Sequence, residues 1–173
     1  MLVQTSRFGP LDVQEEDLIH FPEGLLGFDN LTRFVLLDDP NEDIFAWLQS
    51  CEEPSVAFPV LEPEIFMESY NVNLTKSDME AIKVSSPSEC QFFVIITIPE
   101  DPKEMTANLK APIVINSKER LAKQCVLQDN RLAIREPIFK RLQQKVVPRS
   151  SKDQDAPKKN LSSSVRPHKE SEL

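Results

Sequence analysis

The sequence predicts a mainly β fold: a small antiparallel, β-barrel-like domain with one or two short helices, followed by a disordered C-terminal tail. Three observations lead there. Fourteen prolines recur through the 173 residues and interrupt any long helical run. Short apolar segments alternate with turn-forming residues, the pattern of many brief strands joined by short connections. Beyond Pro148 the chain is rich in Ser, Lys, Pro, Asp and Gln and holds no large apolar residue apart from Leu161, Val165 and the final Leu173. Such a stretch cannot bury enough surface to offset the entropy of ordering it. The expected division is a folded body over 1–145 and a tail over 146–173.

Within the body, strands are expected at Leu2–Arg7, at Leu11–Gln14 after the Gly9-Pro10 turn, and at Leu18–Phe21. Arg33–Leu37 and Phe45–Gln49 follow, then Val56–Val60. Phe92–Ile98 is apolar almost throughout and reads as a strand buried on both faces. Pro112–Asn116 and Leu121–Gln128 form a hairpin pair across Ser117-Lys118-Glu119-Arg120. Two segments suit short helices. One is Glu64–Ser69 after Pro63; the other is Pro137–Val146, with proline at its first position and Ile138, Leu142 and Val146 on one face. Residues 75–84 are ambiguous between helix and strand.

Composition narrows function. The net charge is −8, but 146–173 carry six basic groups (Arg149, Lys152, Lys158, Lys159, Arg166, Lys169) against four acidic ones (Asp153, Asp155, Glu170, Glu172), leaving −10 for the rest. An acidic body repels nucleic-acid backbones and steers basic partners toward itself. The aromatic residues sit in apolar runs rather than beside Lys and Arg, so no stacking platform for bases is expected. No apolar run approaches the roughly 20 residues of a membrane span, and Met1–Arg7 has no basic segment leading into an apolar core, so a cytoplasmic protein is expected. Cys51, Cys90 and Cys125 are widely spaced and form no Cys-x-x-Cys or Cys/His cluster, which points to buried free thiols rather than a zinc site or disulfides.

Catalytic chemistry finds little to stand on. Of the two histidines, His168 lies in the tail and His20 between Ile19 and Phe21, where a structural or surface-facing strand histidine is expected. No nucleophile motif surrounds any serine. Gly24-Leu25-Leu26-Gly27 matches neither a dinucleotide fingerprint nor a phosphate loop, which need more glycine and a following helix. The acidic pairs Asp38-Asp39 and Glu52-Glu53, and the group Asp12, Glu15, Glu16 and Asp17, read as solvated loops without calcium-loop spacing. The expectation is a binding protein with no enzymatic activity and no cofactor or metal.

Several blocks then acquire a second meaning. His20-Phe21-Pro22-Glu23-Gly24-Leu25-Leu26-Gly27-Phe28 resembles the signature of the FliW family that follows its first hairpin. Phe45-Ala46-Trp47-Leu48-Gln49-Ser50 resembles the second block, and Phe58-Pro59-Val60 with Pro63, Phe66 and Tyr70 the third. The run from Met105-Thr106-Ala107-Asn108-Leu109-Lys110-Ala111-Pro112 to Asn116, trailed by Lys123-Gln124, is the most specific. The blocks occur in the family's order over residues 2–138. Departures are Ala122 where the family often has glycine, Leu132 and Glu136 where it has aromatic and histidine types, and the segment after Val147. On their own chemistry, Gly24 and Gly27 bracket a tight turn that sets how Phe21 and Phe28 enter the core. Asn108 is expected to hold a turn before Pro112, and Trp47 and Tyr70 to be large core or rim residues.

The resemblance implies a small barrel-like protein with two partners held in alternation. One is flagellin, bound through its C-terminal region before export. The other is CsrA, a small basic RNA-binding dimer that represses flagellin translation. Flagellin-bound protein leaves CsrA free to repress; once flagellin is exported, the released protein binds CsrA, away from its RNA surface, and relieves repression. The acidic body suits a basic partner. Contacts are expected from acidic and apolar groups outside the densest strand runs: Asp38, Asp39, Glu42, Phe45, Glu62, Phe66, Glu68 and Tyr70. Two rival readings are a chaperone or adaptor for exported subunits that ignores CsrA, and an enzyme using the acidic clusters with a metal.

Overall fold

A computed structural model describes residues 1–145. The expected tail, 146–173, lies outside the described residues. Eleven strands and two α-helices follow in order: β1 (Leu2–Val3), β2 (Leu11–Asp12), β3 (Ile19–His20), β4 (Arg33–Asp38), β5 (Ala46–Ser50), β6 (Ala57–Leu61), α1 (Lys76–Ala81), β7 (Gln91–Thr97), β8 (Thr106–Ala107), β9 (Ile113–Asn116), β10 (Leu121–Gln124), β11 (Glu136–Pro137) and α2 (Phe139–Lys145).

Seven strands close a barrel in the order β7-β6-β5-β4-β3-β10-β9, with β9 returning to β7 through Gln91↔Ile115 and Phe93↔Ile113. The closure expected from sequence is present, with one difference in direction. β3 and β10 run parallel, through the single pair Leu121↔His20, whereas every other strand pair is antiparallel. Strand direction cannot be read from alternation, because a parallel and an antiparallel neighbour bury the same side chains. The longest strand, β7, has two partners along one edge: β9 at its start and β8 at its end, through Ile96↔Ala107. β8 in turn carries β11.

The barrel interior is filled by residues from successive strands, among them Ile19, Phe34, Leu48, Val60, Phe93, Ile113 and Ile115. Phe21 and Phe34 meet edge-on with ring centroids 5.1 Å apart, as do Phe28 and Phe58 at 5.4 Å. Ala122 faces this core 1% exposed and pairs with Ile115 in an unbroken ladder, so alanine at this position continues the strand. Outside the barrel, β1 and β2 cover Val35, Leu37 and Trp47, while α2 and the 105–109 segment cover Leu61, Val94 and Ile96.

Local chemistry explains where elements stop. The strand expected over Leu2–Arg7 pairs only at Leu2 and Val3, because Thr5 ends it. Its hydroxyl donates to the Gly9 carbonyl at 2.7 Å and accepts from the Phe8 amide at 2.8 Å, folding the chain into a loop. The ambiguous 75–84 stretch is helical, held at both ends. Thr75 and Asp78 exchange side-chain-to-backbone bonds of 3.0 and 3.3 Å at the start. At the finish Lys83, with φ 59°, turns the chain left-handed, so that Val84 N–H reaches Met79 O at 3.0 Å and Lys83 N–H reaches Glu80 O at 3.2 Å. In place of the helix expected over Glu64–Ser69 there is a single 3₁₀ turn, Pro63–Ile65. Pro137 belongs to β11 rather than to α2, which begins two residues later.

Candidate functional site

The expected contact residues come from three segments, and the sheet register draws them to one end of the barrel. Asp38 lies opposite Ala46, and Ala46 opposite Val60, so the β4–β5 loop and the exit of β6 sit side by side. Along that edge Phe45 packs against the apolar cluster that contains Leu61, and the chain leaving β6 enters a 3₁₀ turn at Pro63–Ile65. Phe45, Phe66 and Tyr70, separated by up to 25 positions, belong to one apolar cluster built on Leu61, Val94, Ile96 and Ile138.

Their exposure separates their roles. Phe66 is only 2% exposed, so its ring lies beneath the surface rather than on it. Its place after a proline-led turn resembles a rim, but the turn directs the ring inward. Phe45 and Tyr70 are half-buried, as are their neighbours Ile44, Ile65 and Met67. Tyr70 is anchored by its hydroxyl, which donates to the Leu109 carbonyl at 2.5 Å, and burial raises its pKa above the ordinary phenol value. Around this apolar surface stand the exposed Asp38, Glu42 and Glu68 and the half-buried Glu62.

Asp39 does something that the sequence did not signal. Its Oδ2 accepts the Trp47 indole N–H at 2.9 Å while Oδ1 accepts the amides of Asn41 and Glu42 at 2.8 and 3.2 Å. It organises the β4–β5 loop and ties it to the lone tryptophan, whose ring lies 4.3 Å beneath the Arg7 guanidinium. Asp39 therefore shapes the patch, while its acidic neighbours face outward. Trp47 is 9% exposed, a core residue against Phe8.

The other sequence blocks are also accounted for geometrically. Gly24 and Gly27 have φ of +66° and +84°, and Leu25 and Phe28 exchange backbone bonds of 3.2 and 2.7 Å across the turn. Asn108 Oδ1 accepts the amides of Lys110 and Ala111, both at 3.1 Å, delivering the chain into β9. Glu136 pairs with Ala107 across β11 and β8 and lies 3.8 Å from Arg141, and Leu132 packs at the edge of the same apolar cluster as Phe45.

Among the described residues, no three of His, Cys, Asp and Glu come together in a metal-holding arrangement. His20 is exposed on its strand. Burial raises the Cys51 and Cys90 thiols to about 11 and Cys125 to about 12, so all three are protonated at neutral pH. No helix among the described residues is long and apolar enough to cross a membrane. The arrangement is an acid-rimmed apolar surface, suited to holding another protein.

Comparison with known proteins agrees with the blocks and the barrel. Residues 2–138 match the model of the family described as FliW protein. The chain belongs to the FliW family of flagellar assembly factors. A flagellar assembly factor FliW from Bdellovibrio bacteriovorus is 62% identical over 147 residues, covering 85% of this chain and 84% of its own length. A FliW from Leptospira biflexa is 38% identical, covering 82% of this chain and 94% of its own. The FliW fold is shared as well: a crystal structure of the flagellar assembly factor FliW superposes with a TM-score of 0.75 at 31% identity, spanning 80% of this chain and 97% of that one.

Proposed function

We propose that the protein acts by binding alone, holding flagellin and CsrA in alternation, in the cytoplasm, and so couples flagellin translation to flagellin export. The observation that carries this reading is the surface at the β4–β5 end of the barrel. Half-buried Phe45, Tyr70, Ile65 and Met67 lie within a rim of Asp38, Glu42, Glu62 and Glu68. Apolar groups at the centre supply affinity once desolvated, and the carboxylates select a basic partner and speed its approach. CsrA, as a basic RNA-binding dimer, has the complementary charge. Residues 1–145 serve as the binding body. Alternation requires only that the two partners be unable to occupy the protein together, through overlap or through coupling.

Calorimetric titration with flagellin and with CsrA, singly and then in competition, tests the proposal. Binding of both, with one displacing the other, is the expected result. Binding of flagellin alone would replace the switch with a flagellin chaperone or adaptor. The Glu62→Lys, Glu68→Lys double variant is expected to weaken CsrA binding by roughly five- to twentyfold, two rim charges being reversed. Unchanged affinity in a folded variant would remove this surface from the CsrA interface.

A further inference from the structure

A second surface, at the seam of the barrel, has the construction of a site for an extended peptide. β3 and β10 touch only at Leu121↔His20. Past that pair β3 turns away through Phe21 and Pro22; β10 ends at Gln124, short of the Leu121–Gln128 strand expected from sequence, but the chain runs on beside the 110–112 segment. On its other side that continuation stays hydrogen-bonded: Cys125 N–H donates to Pro112 O at 3.0 Å and Leu127 N–H to Lys110 O at 2.8 Å. Because backbone groups alternate in direction along a strand, the amides of Val126 and Gln128 point the opposite way, toward the open seam. Among the described residues neither amide has a hydrogen-bond partner. The seam is a groove of about 570 Å³ whose lining includes the Glu23–Gly27 turn, Asp29, Thr75 and Asp78.

The groove carries both apolar and charged groups. Val126 and Leu26 are 46% and 59% exposed along it. Three carboxylates, Glu23, Asp29 and Asp78, face one ammonium, Lys123, which is held 2.8 Å from Asp78 and 3.5 Å from Glu23. The wall therefore keeps an excess of negative charge after its internal pairing. The Gly24–Gly27 turn is braced from below, where Gln124 Oε1 accepts the Leu26 amide at 2.9 Å and Gln124 Nε2 donates to Ala111 O at 3.2 Å. An unpaired strand edge is a hazard that proteins cover or use. Here it lies in a groove rather than on an open face, which favours use by a single inserted strand.

We propose that this groove binds an extended segment of a partner protein, one that carries basic side chains alternating with aliphatic ones. The segment adds as a strand to the Val126–Gln128 edge. Its aliphatic groups rest on Leu26 and Val126, and its basic groups meet Glu23 and Asp29. This site is separate from the acid-rimmed surface at the β4–β5 end and stands whether or not that surface binds CsrA.

The test uses the full chain and two blocked hexapeptides of alternating valine with lysine, or valine with glutamate. Amide hydrogen exchange and NMR shifts at Val126 and Gln128 report engagement. The Lys-Val peptide is expected to protect both amides at roughly 1 mM or below, and the Glu-Val peptide to bind about five- to tenfold more weakly. Val126→Pro removes one edge donor without costing an internal hydrogen bond and is expected to abolish protection at Gln128. Should that variant misfold, the Glu23→Lys, Asp29→Lys double variant is expected to reverse the preference between the peptides. Absence of protection at either amide would overturn the proposal, as would equal affinity for both peptides. Protection already present in the free chain would also overturn it: loss of that protection on deleting 146–173 would assign the groove to the chain's own tail, and its dependence on concentration to a second copy.

Discussion

Gly24→Ala probes the turn that forms one wall of the seam, and its cost can be worked out from the structure. At φ +66° an alanine costs about 1–2 kcal/mol relative to glycine, because Cβ approaches its own carbonyl. The second contribution is steric. A Cβ at Gly24 would press on the Phe28 carbonyl oxygen and lie 2.6 Å from Asp29 Cα and 2.7 Å from Asp29 C. These are backbone atoms, with no rotamer to yield, and forcing space for a methyl in a packed site costs about 1–3 kcal/mol. The sum is about 2–5 kcal/mol, a large part of the 5–15 kcal/mol typical of a small domain. Gly27→Ala is the matched control: its φ is +84°, yet nothing lies within 4 Å of the added carbon, so only the conformational cost of about 1–2 kcal/mol applies. Urea unfolding followed by the fluorescence of Trp47, the sole tryptophan, measures both variants against the parent. The expected outcome is a midpoint lower for Gly24→Ala than for Gly27→Ala by roughly 1 M, at unchanged m-value. Equal midpoints for the two variants would refute the steric argument.

Other consequences can be checked separately. Asp39→Ala removes the acceptor of the Trp47 indole and of two loop amides; a loss of about 1–2 kcal/mol and a shifted tryptophan emission are expected, and an unchanged spectrum would show that the bond is not maintained in solution. Burial raises the Asp78 pKa, but hydrogen bonds from Lys123 and Thr75 outweigh it and hold the carboxyl below its ordinary value. The stabilisation from a depressed carboxyl is complete above the unfolded pKa of about 3.9 and is lost as pH falls through the folded value, so Asp78→Asn should flatten the stability profile below about pH 4 and leave its shape near neutrality unchanged. Ellman titration at neutral pH should detect almost no rapid thiol in the native protein and all three cysteines after unfolding; fast native reaction of any one would contradict the burial that raises their pKa values.

The strands β4, β5, β7 and β9 were legible in the sequence because each is a local run whose alternation or continuous apolarity requires a sheet environment. The Gly24–Gly27 turn was legible for a similar reason, since only glycine accepts that backbone cheaply. The start of α1 is marked by Thr75 and Asp78, a capping pair with the right spacing, whereas the apolar pattern that follows fits helix and strand equally. The proposed contact surface is legible only in part: acidic residues beside aromatics mark the β4–β5 loop and the chain after β6, but not which ring turns inward.

By itself, the sequence determined a β-rich acidic body, the positions of its main strands and turns, and the blocks that place it in the FliW family. These are properties of neighbouring residues, set by backbone preference and side-chain periodicity. The tertiary structure alone decided that Phe66 supports the surface while Phe45 and Tyr70 form it, that Asp39 is occupied by Trp47, and that the barrel closes through one parallel pair and then opens into a groove. Each depends on which distant segments meet. Burial and hydrogen-bond partnership are set by that meeting, and a strand's pattern is the same whichever edge it finds.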